Sequence, residues 1–224
     1  MGSSRLPGKA LLSLGGRPML SHVVERVCAT RGVDETVLAT SRSERDAALQ
    51  AIAAQHHVRM WRGSEWDVLS RVREAARLAE ADVVVRVTAD CPLFCVDIAE
   101  RVLDLYAKEC VPIGYAWNDT TRSGYPDGTD VEVFSRTLLD RVDASPRISR
   151  TDREHVTPAI RRSAPRLAGV QAPLNLSWLK LSVDRPVDYD TVARVVEHIP
   201  AGDYSWDAVL RACVAAGIVP EGQA

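Results

Sequence analysis

Four short stretches combine residue types that could handle phosphate or a divalent cation. The first, GSSRLPGK at residues 2–9, holds two glycines, two serines, an arginine and a lysine. Gly2 and Gly8 would let backbone N–H groups approach phosphate oxygens, and Ser3 and Ser4 add hydroxyl donors. Arg5 brings a planar fork and Lys9 a point charge. A segment this close to a chain end is more often a tail, and composition alone leaves that use slightly ahead. The G-x-x-x-x-G-K-[ST] spacing of a Walker loop is absent.

The second stretch, TADCPL, follows the apolar run VVVRV and places Asp90 where a carboxylate can hold Mg²⁺ against phosphates. Its plainer use is to cap the next turn, which Pro92 enforces. The third, SVDRPVDYD, puts Asp184 just ahead of a helix that Pro186 opens, where capping is the commonest use of Asp. Two carboxylates at two strand ends could share one metal. The fourth, NDTTRSGYPDGTDVEV, is long and polar, as substrate loops are. Asp130 and Glu132 lie two residues apart on one strand face, either solvated or aimed into a cleft. His155 in REHVTP could serve as a base, although a hydrogen-bonded structural histidine is commoner.

These loops need a frame. MLSHVVERVCA places Met19, Leu20, Val23, Val24, Val27 and Cys28 on one helical face. ETVLATS, VRMW and DVVVRVTADCPL read as strands. SERDAALQAIAAQHH, with Ser43 and Asp46 in capping-box spacing, reads as a helix, as do SEWDVLSRVREAARLAEA and DIAERVLDLYAKE. Strands alternating with such helices predict βαβ units and a parallel sheet, with ligands beyond the carboxyl ends of the strands. Further on, DVEVF and LKLSV alternate as strands with one wet face. TDREHVTPAIRRSA reads as a helix capped by Thr151 and Glu154 and interrupted by Pro158. DYDTVARVVEHI and YSWDAVLRACVAAG read as closing helices.

The length of 224 residues predicts one domain over residues 1–224 with a sizeable core. A formal net charge of −2 gives no electrostatic footprint for nucleic acid. No apolar run reaches the length of a membrane span, and the start lacks the apolar core of a signal peptide, so a cytoplasmic protein is expected. Five scattered cysteines, with only Cys91 and Cys95 close, predict reduced, mostly buried thiols.

Taken in order, GSSRLPGKALLSLGGRPML, ATS, RGSEWDVLSR, VVVRVTADCPL, YPDGTDVEVF, REHVTP and LSVDRPVDY resemble the bacterial cytidylyltransferases of the spore-coat polysaccharide type. These are relatives of the acylneuraminate and 3-deoxy-manno-octulosonate cytidylyltransferases. The resemblance runs from residue 2 to about residue 190 and rests on the whole set rather than on any one motif. It implies a nucleotide-diphospho-sugar transferase-like, three-layer α/β sandwich with a mixed, mostly parallel sheet. It implies CTP, Mg²⁺ and a sugar or sugar-like acid as acceptor, giving a CMP-sugar and pyrophosphate. By the same resemblance Arg5 and Lys9 would bind the triphosphate and Asp90 and Asp184 would hold Mg²⁺. Arg5, Lys9 and Asp90 would then form the catalytic set. Ser41 and Arg62–Gly63–Ser64 would lie near the nucleoside. Tyr125, Asp127, Asp130, Glu132, Glu154 and His155 would line the acceptor side, and a homodimer is expected.

The sequence departs from that pattern in one respect. Family members carry an apolar strand ending in Gln-Ala-Arg ahead of the phosphate loop, and Met1 stands where that run would have ended. The usual first strand is therefore expected to be missing, leaving the edges of both neighbouring strands bare. Either the start lies upstream, or this is a truncated, non-catalytic nucleotide-binding relative. A glycosyltransferase is the remaining alternative. Such enzymes commonly carry Asp-x-Asp after the central strand, where this chain has ADCP.

Overall fold

Alternation along two short strands, β6 (Tyr115–Trp117) and β7 (Glu132–Ser135), divides the core. Successive side chains of a strand face opposite ways. Ala116 and Val133 pack with Leu93, Phe94, Ile98, Val192 and Val209. Tyr115, Trp117 and Phe134 pack with Leu69, Leu139 and Ile160 on the other side. Helices thus cover both faces, and the layers are those of the expected α/β sandwich. The computed structural model describes residues 6–108, 114–118 and 124–222.

The larger sheet has the order β5-β7-β6-β8, with β5 at Val83–Arg86 and β8 at Leu167–Gly169. β7 runs antiparallel to β5 and β6, and β6 runs parallel to β8. A parallel pair, β3 (Val37–Ser41) and β4 (Arg59–Gly63), forms a separate ladder. Among the described residues no ladder joins β3 to β5. A two-residue hairpin, β1 (Ser13–Leu14) and β2 (Arg17–Pro18), precedes α1.

The amphipathic runs fold as their periodicity predicts. Helix α1 (Met19–Cys28) buries Met19, Leu20, Val23 and Val24. Helices α2 (Leu49–Gln55), α3 (Val68–Leu78) and α4 (Val96–Lys108) follow in the expected places. Then come α5 (Arg136–Asp143), α6 (Arg150–His155), α7 (Thr157–Ser163), α8 (Pro186–Val196) and α9 (Trp206–Ala215). Asp67 caps α3 by accepting from the Ser70 N–H at 2.9 Å.

Three local expectations are corrected. LKLSV forms no strand; its ladder shrinks to one bridge between Asp127 and Lys180, because the backbone of 181–183 is claimed by loops rather than by a strand. The capping box of α6 is Ser149 with Asp152, not Thr151 with Glu154, and Pro158 opens α7 rather than breaking a longer helix. The two helices meet at Val156, a buried β-branched residue at φ 65°. Ser43 makes no side-chain cap, since Asp46 turns back to the hydroxyls of Thr40 and Ser41 at 2.9 and 2.6 Å.

Three distant loops are stitched together by backbone bonds. The Asp127 carbonyl accepts from the N–H groups of Leu181 and Ser182 at 2.6 and 3.1 Å. The Asp90 carbonyl accepts from Val183 N–H at 2.8 Å. Gly128 makes the first contact possible. Its φ is +104°, and a Cβ there would lie 2.3 Å from the backbone of Leu181 and Ser182. Only glycine suits that combination.

Candidate active site

The stitched loops and the end of β5 enclose a cleft of about 250 Å³ lined by Arg86, Asp90, Asp127, Asp130, Glu132 and Asp184, with Thr88, Cys91 and Ser182 beside them. Lys9 reaches two of these carboxylates from a single turn of 3-10 helix, Lys9–Leu11, which Gly8 enters at φ 73°. The Lys9 ammonium donates to Asp90 at 2.9 Å, to Asp184 at 3.1 Å and to the Val183 carbonyl at 2.7 Å. Lys180 donates to Asp184 at 2.8 Å and lies 3.3 Å from Asp127. The result is a chain of alternating charge, Asp90–Lys9–Asp184–Lys180–Asp127.

That alternation sets the protonation states. Burial works to raise the Asp90 carboxyl, but the Lys9 charge beside it and a hydrogen bond from Thr88 hold it below the ordinary carboxylate range. Burial opposes ionisation of Asp184 as well, yet hydrogen bonds from Lys180 and Lys9 bring it down to about 2. Both groups are anions at neutral pH. Two hard carboxylate oxygens converging on one cation is a donor set that suits Mg²⁺, which binds through one or two carboxylates and keeps its other positions for water and phosphate. Among the described residues, no group of three or more His, Cys, Asp or Glu side chains is placed to hold a metal.

The residues expected near the nucleoside lie at the carboxyl ends of β3 and β4, where Ser41 and Gly63 are paired in register. Their side chains hold the loops together. The Ser41 hydroxyl donates to Asp46, and Arg62 donates to the carbonyls of Ser41 and Ser43 at 3.1 and 2.8 Å. The Ser64 hydroxyl accepts from the N–H of Asp67 at 3.0 Å.

Of the residues expected on the acceptor side, Asp127, Asp130 and Glu132 line the cleft. Asp127 accepts from the Ser182 hydroxyl, and Asp130 from Gly128 N–H, each at 2.8 Å. Tyr125 is placed elsewhere. It is fully buried, edge-on to Trp206, with its hydroxyl bonded to Arg101. Glu154 and His155 are exposed on α6 and are not among the residues lining the cleft. Gly2, Ser3, Ser4 and Arg5 lie outside the described residues.

Arg86, Thr88 and Lys180 belong to the site and were not singled out from the sequence. Arg86 carried a signal, being a charge inside the apolar run VVVRV. Lys180 carried a weaker one, four residues ahead of Asp184.

The family model described as Cytidylyltransferase matches residues 1–192. The spore coat polysaccharide biosynthesis protein SpsF of Bacillus subtilis is 30% identical over 201 residues, spanning 86% of this chain and 81% of that protein. A 3-deoxy-manno-octulosonate cytidylyltransferase of Anaeromyxobacter dehalogenans is 38% identical over 109 residues, 46% of this chain and 42% of its own. A cytidylyltransferase structure from Leptospira borgpetersenii superposes with a TM-score of 0.89 at 26% identity, covering 100% of this chain and 94% of the other. With the paired carboxylates on the cleft floor and these likenesses over most of its length, the chain belongs to the cytidylyltransferase family of nucleotidyltransferases.

Proposed function

We propose that the protein transfers a cytidylyl group from CTP to a hydroxyl of a sugar or sugar-like acid, with Mg²⁺ as cofactor, in polysaccharide or specialised glycan synthesis. The observation that carries this reading is the convergence of Asp90 and Asp184 on one cation at the cleft floor. The acceptor oxygen bonds to the α-phosphorus as its proton leaves, and the bond from the α-phosphorus to the oxygen bridging the β-phosphate breaks, releasing pyrophosphate. Mg²⁺ held by Asp90 and Asp184 would neutralise phosphate charge and polarise the reacting phosphoryl group. Lys9, bonded to two cleft carboxylates, would pair with phosphate oxygens, together with Arg5 from the same loop. Asp127 and Asp130 offer acceptors for sugar hydroxyls. No covalent intermediate is required, since positioning and charge neutralisation supply most of the rate in phosphoryl-type transfers.

The test is pyrophosphate release with each nucleoside triphosphate and Mg²⁺ against a panel of sugar acids. CTP is expected to be the preferred donor. Asp90→Asn is expected to lower turnover by about 10²–10³ or more, the usual cost of losing one preorganised charge contact. Near-normal turnover in that variant, or no release with any pair, overturns the reading.

A further inference from the structure

Glu132 lines the cleft, but both of its oxygens are already engaged. One lies 2.5 Å from Arg86 Nη1. The other accepts from the Tyr115 hydroxyl at 2.6 Å and lies 3.4 Å from Arg161. Arg161 in turn donates to the Tyr115 hydroxyl at 2.9 Å and stacks over the rings of Tyr115 and Trp117. All of this is largely buried: the side chains of Arg86 and Glu132 are 18% and 11% exposed. Glu132 is therefore shared between two guanidinium groups.

Arg161 is spread over two aromatic faces, a phenol and the carboxylate. Arg86 makes its one hydrogen bond within the described residues to Glu132 through Nη1, and it lines the cleft. Of the other cleft carboxylates, Asp90, Asp184 and Asp127 pair with Lys9 and Lys180. A largely buried arginine that lines a cleft and is fixed at one end, with its other N–H groups uncommitted among the described residues, is built to receive an anion through a fork.

We propose that Arg86 binds an anionic oxygen of a substrate, and that Glu132 is a positioning residue that holds Arg86 in place. The oxygen belongs either to a phosphate of the nucleotide or to the acid group of the acceptor. The proposal deepens the transfer reading above and rests on it for the identity of the ligands, but not for the anion site itself.

The experiment measures binding by calorimetry of inorganic pyrophosphate, acetate, CTP with Mg²⁺, and 3-deoxy-manno-octulosonate, with cytidine as the neutral control. Wild type is compared with Arg86→Gln, Arg86→Lys and Glu132→Gln. Charged hydrogen bonds of this kind are expected to contribute about 10- to 100-fold in affinity. Arg86→Gln is expected to weaken the anions that use this group by that factor and to leave cytidine unchanged. Loss for pyrophosphate and CTP assigns the phosphate; loss for acetate and the sugar acid assigns the acceptor acid. Glu132→Gln is expected to reproduce part of the loss, raising KM for the same ligand while kcat holds. Arg86→Lys, which keeps the ion pair and guards against misfolding, is expected to fall between. Unchanged affinity for every anion in Arg86→Gln and Arg86→Lys overturns the proposal, as does a wild-type protein that binds none of them. Pyrophosphate release measured in parallel separates the two readings. Loss of anion affinity in a protein that transfers nothing overturns the transfer reading alone. Intact transfer with unchanged affinities overturns the Arg86 assignment alone.

Discussion

Lys9 and Asp90, 81 residues apart, form an ion pair of 2.9 Å on the floor of the cleft, and the same ammonium reaches Asp184 at 3.1 Å. The lysine thus occupies the ground between two carboxylates that, under the proposed reading, would hold a divalent cation. An ammonium and a metal ion compete for the same oxygens. Lys9→Gln is therefore expected to bind Mn²⁺ more tightly than wild type in the absence of nucleotide, read from the free-ion signal in electron paramagnetic resonance. The same variant is expected to lose about 10²–10³ in turnover, because the triphosphate loses a cation. Weaker Mn²⁺ binding in the variant would show that Lys9 supports the metal rather than competing with it.

Gly128→Ala tests the stitch between the loops. The new methyl meets the backbone of Leu181 and Ser182 at a φ of +104° that alanine adopts only under strain. A cost of about 3 kcal/mol or more is expected, visible as a lower Tm in thermal melts. Because Asp127 and Ser182 flank the clash, cleft ligands are expected to weaken as well.

Asp152 gives a pH dependence with a definite sign. Hydrogen bonds from Arg162 and then Ser149 hold its carboxyl down to about 2, below the ordinary value of 3.8. The folded state is thus the weaker proton binder, and its stabilisation is complete above the ordinary value and fades as pH falls towards 2. In melts between pH 5 and 2, Asp152→Asn is expected to lose stability less steeply than wild type. Parallel profiles would remove Asp152 from the account.

Thiol reactivity should separate the four described cysteines. Cys28 is exposed, whereas Cys91, Cys95 and Cys213 are buried. Burial pushes the Cys91 and Cys95 thiols well above their usual range and Cys213 up to about 12. The thiolate is the nucleophile, so these three stay inert in the folded protein. At pH 8, Cys28→Ser is expected to remove one equivalent of fast reaction with Ellman's reagent, and serine at the other three positions none.

All the helices but α5, and four of the eight described strands, β3, β4, β5 and β7, were legible because burial imposes a period. Met19, Leu20, Val23 and Val24 announce α1, and VVVR announces β5. The strands Tyr115–Trp117 and Leu167–Gly169 were not, since three residues are too few to show alternation. LKLSV showed alternation without a strand, because its backbone serves the Asp127 and Asp90 loops. In the site, Asp90 and Asp184 could be placed together by motif order. Arg86 and Lys180 could not, as their meaning depends on the partners Glu132 and Asp184 brought from elsewhere in the chain. Tyr125 stands beside a cleft-lining motif yet faces Trp206, and which way a loop side chain turns has no period to reveal it.

The separation of the β3–β4 ladder from the larger sheet bears on cooperativity. A shared ladder makes strands open together; among the described residues no ladder joins the two sheets, and α3 packs on both β3 and β4. Amide protons of β3 and β4 should exchange through a sub-global opening that leaves β5 and β7 protected. Ser41 and Gly63 belong to the looser unit, Asp90 and Glu132 to the tighter one. A ligand touching both would bridge them, and its binding free energy would appear as slower exchange in β3, far more than in β7.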